Sequence, residues 1–188
     1  MVSFSNYMLK SLPNKKITYG EYGIAFKKSW VERNSINQVI YMNNNSYVSS
    51  ALETLLQARR ASENKFSPDV RLAIIKIKCF TKNSIGYNSY AKKHNFKFKN
   101  ENEWRYVPTK KQINKALISI PASDFDKNKQ KYNQKLIEFP LRFKKEDIKC
   151  IYVPHEDHGL FKSKYKELAH IIKISPWTYV DIKDGLSN

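Results

Sequence analysis

The chain has 188 residues, 41% hydrophobic and 13% aromatic, enough to bury one substantial core and too many for a wholly disordered protein. Lys and Arg number 34 against 17 Asp and Glu, a formal charge of +17, a positive field that attracts nucleic acid, an anionic membrane or an acidic protein and so gives the sign of the partner, not its identity. No apolar run of signal-peptide or membrane-spanning length occurs, and the two cysteines, Cys79 and Cys150, lie in apolar runs that suit a reducing compartment. A cytoplasmic location without a membrane partner is therefore expected.

Short strands open the chain at Val2 to Phe4, Tyr22 to Phe26 and Gln38 to Met42, with a small helix over Lys27 to Arg33 and a turn at Asn43-Asn-Asn45. A clearer helix follows, with Ser50-Ala-Leu-Glu53 as its capping box and Val48, Leu52, Leu55 and Leu56 on one face. Pro68 can occupy the first turn of another helix reaching toward Cys79, although Ile74, Ile75 and Ile77 would also suit a strand. Thr81 to Lys99 is polar, basic and Tyr-rich and reads as a surface loop. It leads into a strand around Glu103-Trp-Arg105.

Beyond that strand, Lys110 to Leu117 and Asp124 to Leu136 read as helices, Phe139 to Phe143 and Lys149 to Val153 as strands. A last helix is expected from Asp157 to Ile172, and an edge strand within Trp177 to Ile182. Strands and helices mix without regular alternation, which predicts a single α+β domain over residues 1–188: a mixed, mainly antiparallel sheet with flanking helices.

The densest chemistry lies in Lys99-Asn-Glu-Asn-Glu-Trp-Arg-Tyr-Val-Pro108. Strand alternation sends Glu101, Glu103 and Arg105 to one face, and acids on a buried face are costly unless paired or used. One reading is an ion pair with Arg105 or a neighbouring lysine. The other is a catalytic pair. A Glu-x-Glu strand resembles the acidic motif of ADP-ribosyltransferases, which implies Glu103 as the catalytic acid stabilising charge on the ribose of NAD and Glu101 as the residue orienting it.

Tyr19-Gly-Glu-Tyr-Gly23 sets Tyr19 and Tyr22 beside glycines, where a flat ligand ring can approach the backbone closely; the transferase resemblance implies that this ring is the nicotinamide of NAD, although an ordinary glycine turn explains the pattern too. Nothing between Met1 and Phe4 supplies the His or Arg with which such transferases grip NAD. His155-Glu-Asp-His158 has the spacing of some metal sites without a third ligand, and Asp157 suits a helix cap better. No metal is expected, and no glycine-rich phosphate loop supports nucleotide hydrolysis.

Lys92, Lys93, Lys97 and Lys99 interleave with Tyr87, Tyr90 and Phe96 before the acidic strand; Lys110, Lys111, Lys115, Lys127, Lys129, Lys131 and Lys135 follow it. Basic groups among rings suit single-stranded nucleic acid, through phosphate neutralisation and base stacking. A solvated lysine-rich surface is the alternative.

Four blocks in order, Tyr19-Gly-Glu-Tyr-Gly-Ile-Ala-Phe-Lys-Lys-Ser-Trp30, Val39-Ile-Tyr41, Glu101-Asn-Glu-Trp-Arg-Tyr-Val-Pro108 and Phe143-Lys-Lys-Glu-Asp-Ile-Lys-Cys-Ile-Tyr-Val153, resemble the AbiGi family of bacterial abortive-infection, phage-resistance proteins. The resemblance covers roughly residues 1 to 155, and Met1-Val-Ser-Phe-Ser5 is similar to an internal block of such proteins, so a chain lacking the family's N-terminal part is expected. It implies a phage-defence role with an ADP-ribosyltransferase-like fold and NAD as substrate. Alternatively, it implies the non-catalytic, antitoxin-like half of a two-gene system, binding a partner toxin.

Overall fold

The computed structural model describes residues 1–7, 9–61, 65–88, 92–113, 120 and 122–180. In chain order the elements are β1 (Val2–Ser5), β2 (Lys16–Ile17), β3 (Gly23–Phe26), α1 (Lys28–Arg33), β4 (Asn37–Gln38), β5 (Ile40–Met42), α2 (Tyr47–Arg60), α3 (Pro68–Cys79) and β6 (Thr81–Asn83). There follow β7 (Gly86–Asn88), β8 (Lys93–Phe96), β9 (Glu103–Tyr106), α4 (Ala122–Lys127), α5 (Lys129–Ile137), β10 (Ile148–Val153), α6 (His158–Lys164), β11 (Ile172–Ile174) and β12 (Thr178–Tyr179).

The α+β class holds, but the strands form several small sheets in place of one. β9 is central between β1 and β4, antiparallel to both, with Ser3 opposite Arg105 and Ser5 opposite Glu103. β10 lies between antiparallel β3 and parallel β11, β5 pairs with β6 in parallel, β7 and β8 form a hairpin, and β12 runs parallel to β2.

The core between the first two sheets is aromatic. Trp30, only 1% exposed, packs with Ile36 and Tyr106, and Phe4, Phe26, Trp104 and Leu141 close around them. Phe26 stacks on Trp30 with centroids 4.0 Å apart, while Phe4 meets both rings edge-on, the geometries that aromatic quadrupoles favour. The Trp30 indole N–H donates to the Arg142 carbonyl at 3.3 Å.

Several expectations need correction. The Gln38 to Met42 strand breaks at buried Val39: β4 joins the β9 sheet, and β5 crosses to β6. α2 begins earlier than Ser50, because Ser46 is its cap and accepts the Ser49 amide at 3.2 Å. Its buried stripe is narrow, with Leu52 buried and Val48 and Leu55 exposed. The helical reading of Pro68 to Cys79 is correct, with Ser67 capping and Pro68 at the first turn, where its missing N–H costs nothing.

Thr81 to Lys99 contains β6, β7 and β8 and is not a plain loop. Phe139 to Phe143 makes no strand, consistent with Pro140 lacking a ladder donor. Asp124 to Leu136 is two helices, α4 and α5, and Lys110 to Ile113 forms a turn; the rest of that expected helix lies outside the described residues. The last helix stops at Lys164, and a 3-10 segment over Lys166–Ile171 delivers Ile172 into β11, where it is buried opposite Ile151. Of the expected tail strand, Thr178–Tyr179 is formed.

Candidate functional site

Glu103 starts the central strand β9, and its side chain lies under the sheet with Arg105, two residues on and on the same face. The two are only 7% and 8% exposed. Arg105 clamps the carboxylate with both arms of its fork, Nε to Oε1 at 2.8 Å and a terminal nitrogen to Oε2 at 3.1 Å, and also donates to the Cys79 carbonyl at 2.5 Å. The Ser3 hydroxyl donates to Oε1 at 2.7 Å, and Lys82 reaches Oε2 at 3.0 Å. Each oxygen of Glu103 therefore accepts two donors.

Glu101 arrives differently. It ends a 3-10 turn over Phe98–Glu101, and Asn102 takes a left-handed conformation at φ 43° before the strand starts, so strand alternation does not place Glu101. Lys82 does: its ammonium bridges Glu101 at 2.6 Å and Glu103. The Tyr19 hydroxyl donates to the other Glu101 oxygen at 2.5 Å. Glu101, Glu103, Lys82 and Arg105 thus form a charge-balanced cluster.

Its electrostatics follow from these contacts. Burial alone would raise the Glu103 pKa, but hydrogen bonds from Arg105, Ser3 and Lys82 overcome that and hold it at about 2. Burial likewise works against the Lys82 ammonium, and the two carboxylates reverse it, raising its pKa. As folded, Glu103 presents no vacant oxygen to a ribose hydroxyl. A sugar could engage it only after Lys82 or Ser3 had moved.

The structure joins Tyr19 to the acid pair and takes Tyr22 elsewhere. The Tyr19 ring is 67% exposed beside Glu101. The Tyr22 hydroxyl donates to Asp157, and its ring lies against Phe161 with centroids 6.0 Å apart. Asp157 does precede α6, yet its carboxylate makes no capping bond. Among the described residues no cluster of three metal-ligating side chains occurs, the two histidines near α6 included.

Sequence reasoning missed Lys82, Ser3 and Tyr41. Tyr41 accepts the Glu103 amide at 2.9 Å. Nothing local flagged them, since Lys82 sat in an apparent loop and Ser3 is 100 positions from Glu103.

The basic residues stand outside this cluster. Lys92, Lys97, Lys99 and Lys111 are exposed, and Lys93 and Lys110 are half-buried. Among the described residues none of Lys92, Lys97, Lys99, Lys110 and Lys111 is in an ion pair. Lys127, Lys131 and Lys135 are exposed on α4 and α5, and Lys129 pairs with Asp126 at 3.1 Å; Lys115 and Tyr90 lie outside the described residues. Lys110 and Lys135 flank an apolar cavity of about 210 Å³ lined by Leu72, Ile75, Val107 and Phe125. It is small beside the roughly 300–1,000 Å³ of a ligand pocket.

Residues 1–154 match the family model described as "Putative abortive phage resistance protein AbiGi, antitoxin". The chain belongs to the AbiGi family. The match takes in every element from β1 through β10, including the Glu103 cluster, and leaves α6, β11 and β12 beyond it. No curated protein and no solved structure matches the chain, so the ADP-ribosyltransferase-like architecture has no structural neighbour to support it. Membership connects this AbiGi chain with abortive phage resistance. No described helix is long and apolar enough to cross a membrane.

Proposed function

We propose that this AbiGi chain is the antitoxin-like component of an abortive-infection system, acting in the cytoplasm by binding the acidic face of a partner toxin through its basic surface. One observation carries the reading: the acid pair is neutralised inside the protein by Lys82 and Arg105, whereas among the described residues Lys92, Lys97, Lys99, Lys110 and Lys111 pair with no carboxylate. Positive charge left uncompensated in this way is a standing attraction for a polyanion. The family description agrees with it.

The test is co-expression with the protein product of the neighbouring gene. Growth rescue and a co-purifying complex that dissociates steeply as salt rises are the expected results. A toxic product that forms no complex with this chain even at low salt overturns the reading.

ADP-ribosyl transfer from NAD is the second reading, and the meeting of Tyr19 with Glu101 favours it, because it sets an exposed ring beside the acid pair. In that case Glu103 is the catalytic acid, Glu101 and Tyr19 orient the nucleotide, and Lys82 has to swing away to admit it. Labelled NAD incubated with RNA, DNA and cell lysate decides. Label transfer that disappears in Glu103→Gln, with the fold retained, establishes this reading; no transfer removes it.

A further inference from the structure

No aspartate or glutamate occurs from Val70 through Asn100, and the β7–β8 hairpin lies inside that stretch. Its two strands pair Gly86 with Phe96 and Asn88 with Lys93. The base is anchored. Gly86 lies so close to Phe98 that a Cβ there would stand 3.3 Å from the ring, Phe96 and Phe98 have centroids 5.0 Å apart, and the Lys82 ammonium sits 4.4 Å over Phe98. Through Lys82 the hairpin rests on the Glu101–Glu103 cluster.

The outer part differs. Tyr87 is 54% exposed and its ring meets the exposed His94 imidazole at 4.7 Å, tilted by 41°. Lys92 immediately precedes β8, Lys97 immediately follows it and Lys99 lies in the 3-10 turn beyond; all three are exposed and without an ion-pair partner among the described residues. Lys92 and Asn95 both have positive φ, at 48° and 57°, a conformation that costs non-glycine residues energy.

Two flat rings left to water on an anchored hairpin, with exposed lysines at both ends of its second strand, fit a ligand with π-faces and regularly spaced negative charge. A duplex hides its base faces, and an acidic protein offers no flat rings at each charge. We propose that the β7–β8 hairpin binds single-stranded nucleic acid, with Tyr87 and His94 stacking on bases and Lys92, Lys97 and Lys99 neutralising phosphates. Lys92, Lys97 and Lys99 also belong to the surface proposed for the toxin, but an oligonucleotide assay needs no toxin and Tyr87 separates the two.

Fluorescence anisotropy of the full chain with labelled oligouridine of about 16 nucleotides tests it, with unlabelled oligothymidine, duplex DNA and polyglutamate as competitors. Tyr87→Ala is expected to weaken binding about tenfold, the loss of one stacked base, whereas Tyr87→Phe keeps the ring and the affinity. The double variant Lys92→Glu/Lys97→Glu is expected to flatten the salt dependence. Circular dichroism of each variant checks the fold. Equal binding by Tyr87→Ala and the wild type, competition by duplex DNA or polyglutamate as strong as by single strands, or no binding at low salt overturns the proposal.

Discussion

Replacing Glu103 by glutamine removes one negative charge from a cluster in which Glu101 and Glu103 balance Lys82 and Arg105. Arg105 would stay buried with half its clamp lost, and breaking a buried pair from one side costs about 3–5 kcal/mol. Glu103→Gln is therefore expected to lower the urea midpoint markedly, and Tyr19→Phe, which removes only an exposed hydroxyl contact, to leave it nearly unchanged. The same carboxylate governs acid sensitivity. Glu103 titrates near 4.5 when unfolded and about 2 when folded, so the unfolded state binds the extra proton first. Its stabilising contribution is complete above about 4.5 and is lost as pH falls toward 2. Urea titrations across that window should show this acid-side loss in the wild type and a flatter profile in Glu103→Gln. The Glu103–Arg105 partnership was legible in the sequence because residues two apart on a strand share a face. Lys82 and Ser3 were not, since only the topology brings them to β9.

Among the elements, the helix starts separate what local pattern reveals from what it leaves ambiguous. Pro68 can mark the first turn of α3, but Ile74, Ile75 and Ile77 leave a strand open in the sequence; the Ser67 cap settles the helix in the structure. At α2 the capping-box pattern points to Ser50, whereas Ser46 is the residue that accepts the Ser49 amide. Ser46→Ala is expected to cost about 1 kcal/mol and Ser50→Ala to be close to neutral, a difference thermal melts resolve. Strand β3 poses a tertiary constraint that no local pattern contains. A Cβ at Gly23 would stand 3.0 Å from the Trp177 ring, which is itself held by its indole N–H on the Gly20 carbonyl at 3.1 Å. Gly23→Val is expected to destabilise by about 1–3 kcal/mol, and Trp177→Ala should restore part of that loss in the double variant. The single strand expected over Gln38 to Met42 divides for a similar reason: period-2 alternation cannot say that its halves belong to different sheets.

For the molecule as a whole, a charge of +17 with the main acid pair internalised predicts binding that follows ionic strength. Charge reversal at Lys97, Lys99 and Lys111 is expected to weaken polyanion and toxin binding more than reversal at the equally exposed Lys10 and Lys162. Elution from a heparin column in a salt gradient compares the two sets directly. The sign of the partner could be read from composition, because charge is additive along a chain. Which lysines remain uncompensated could not, because that depends on where the carboxylates fold.

The pairing of β2 with β12 and the packing of Trp177 on Gly23 join the beginning of the chain to residues near 178. Synthesis proceeds at about 5–20 residues per second, so roughly eight to thirty seconds separate the emergence of Gly23 from that of Trp177. Throughout this interval Gly23 has no lid, and from the emergence of β10 until that of β11 the β10 edge is open; long-range pairings of this kind also close slowly. On the proposed antitoxin role, a toxin translated beside it would meet a protein whose fold is not yet closed. Nascent chains stalled before Ile172 should be digested by protease, and chains stalled well past Tyr179 should resist, which would make completion of translation itself the step that arms the protein.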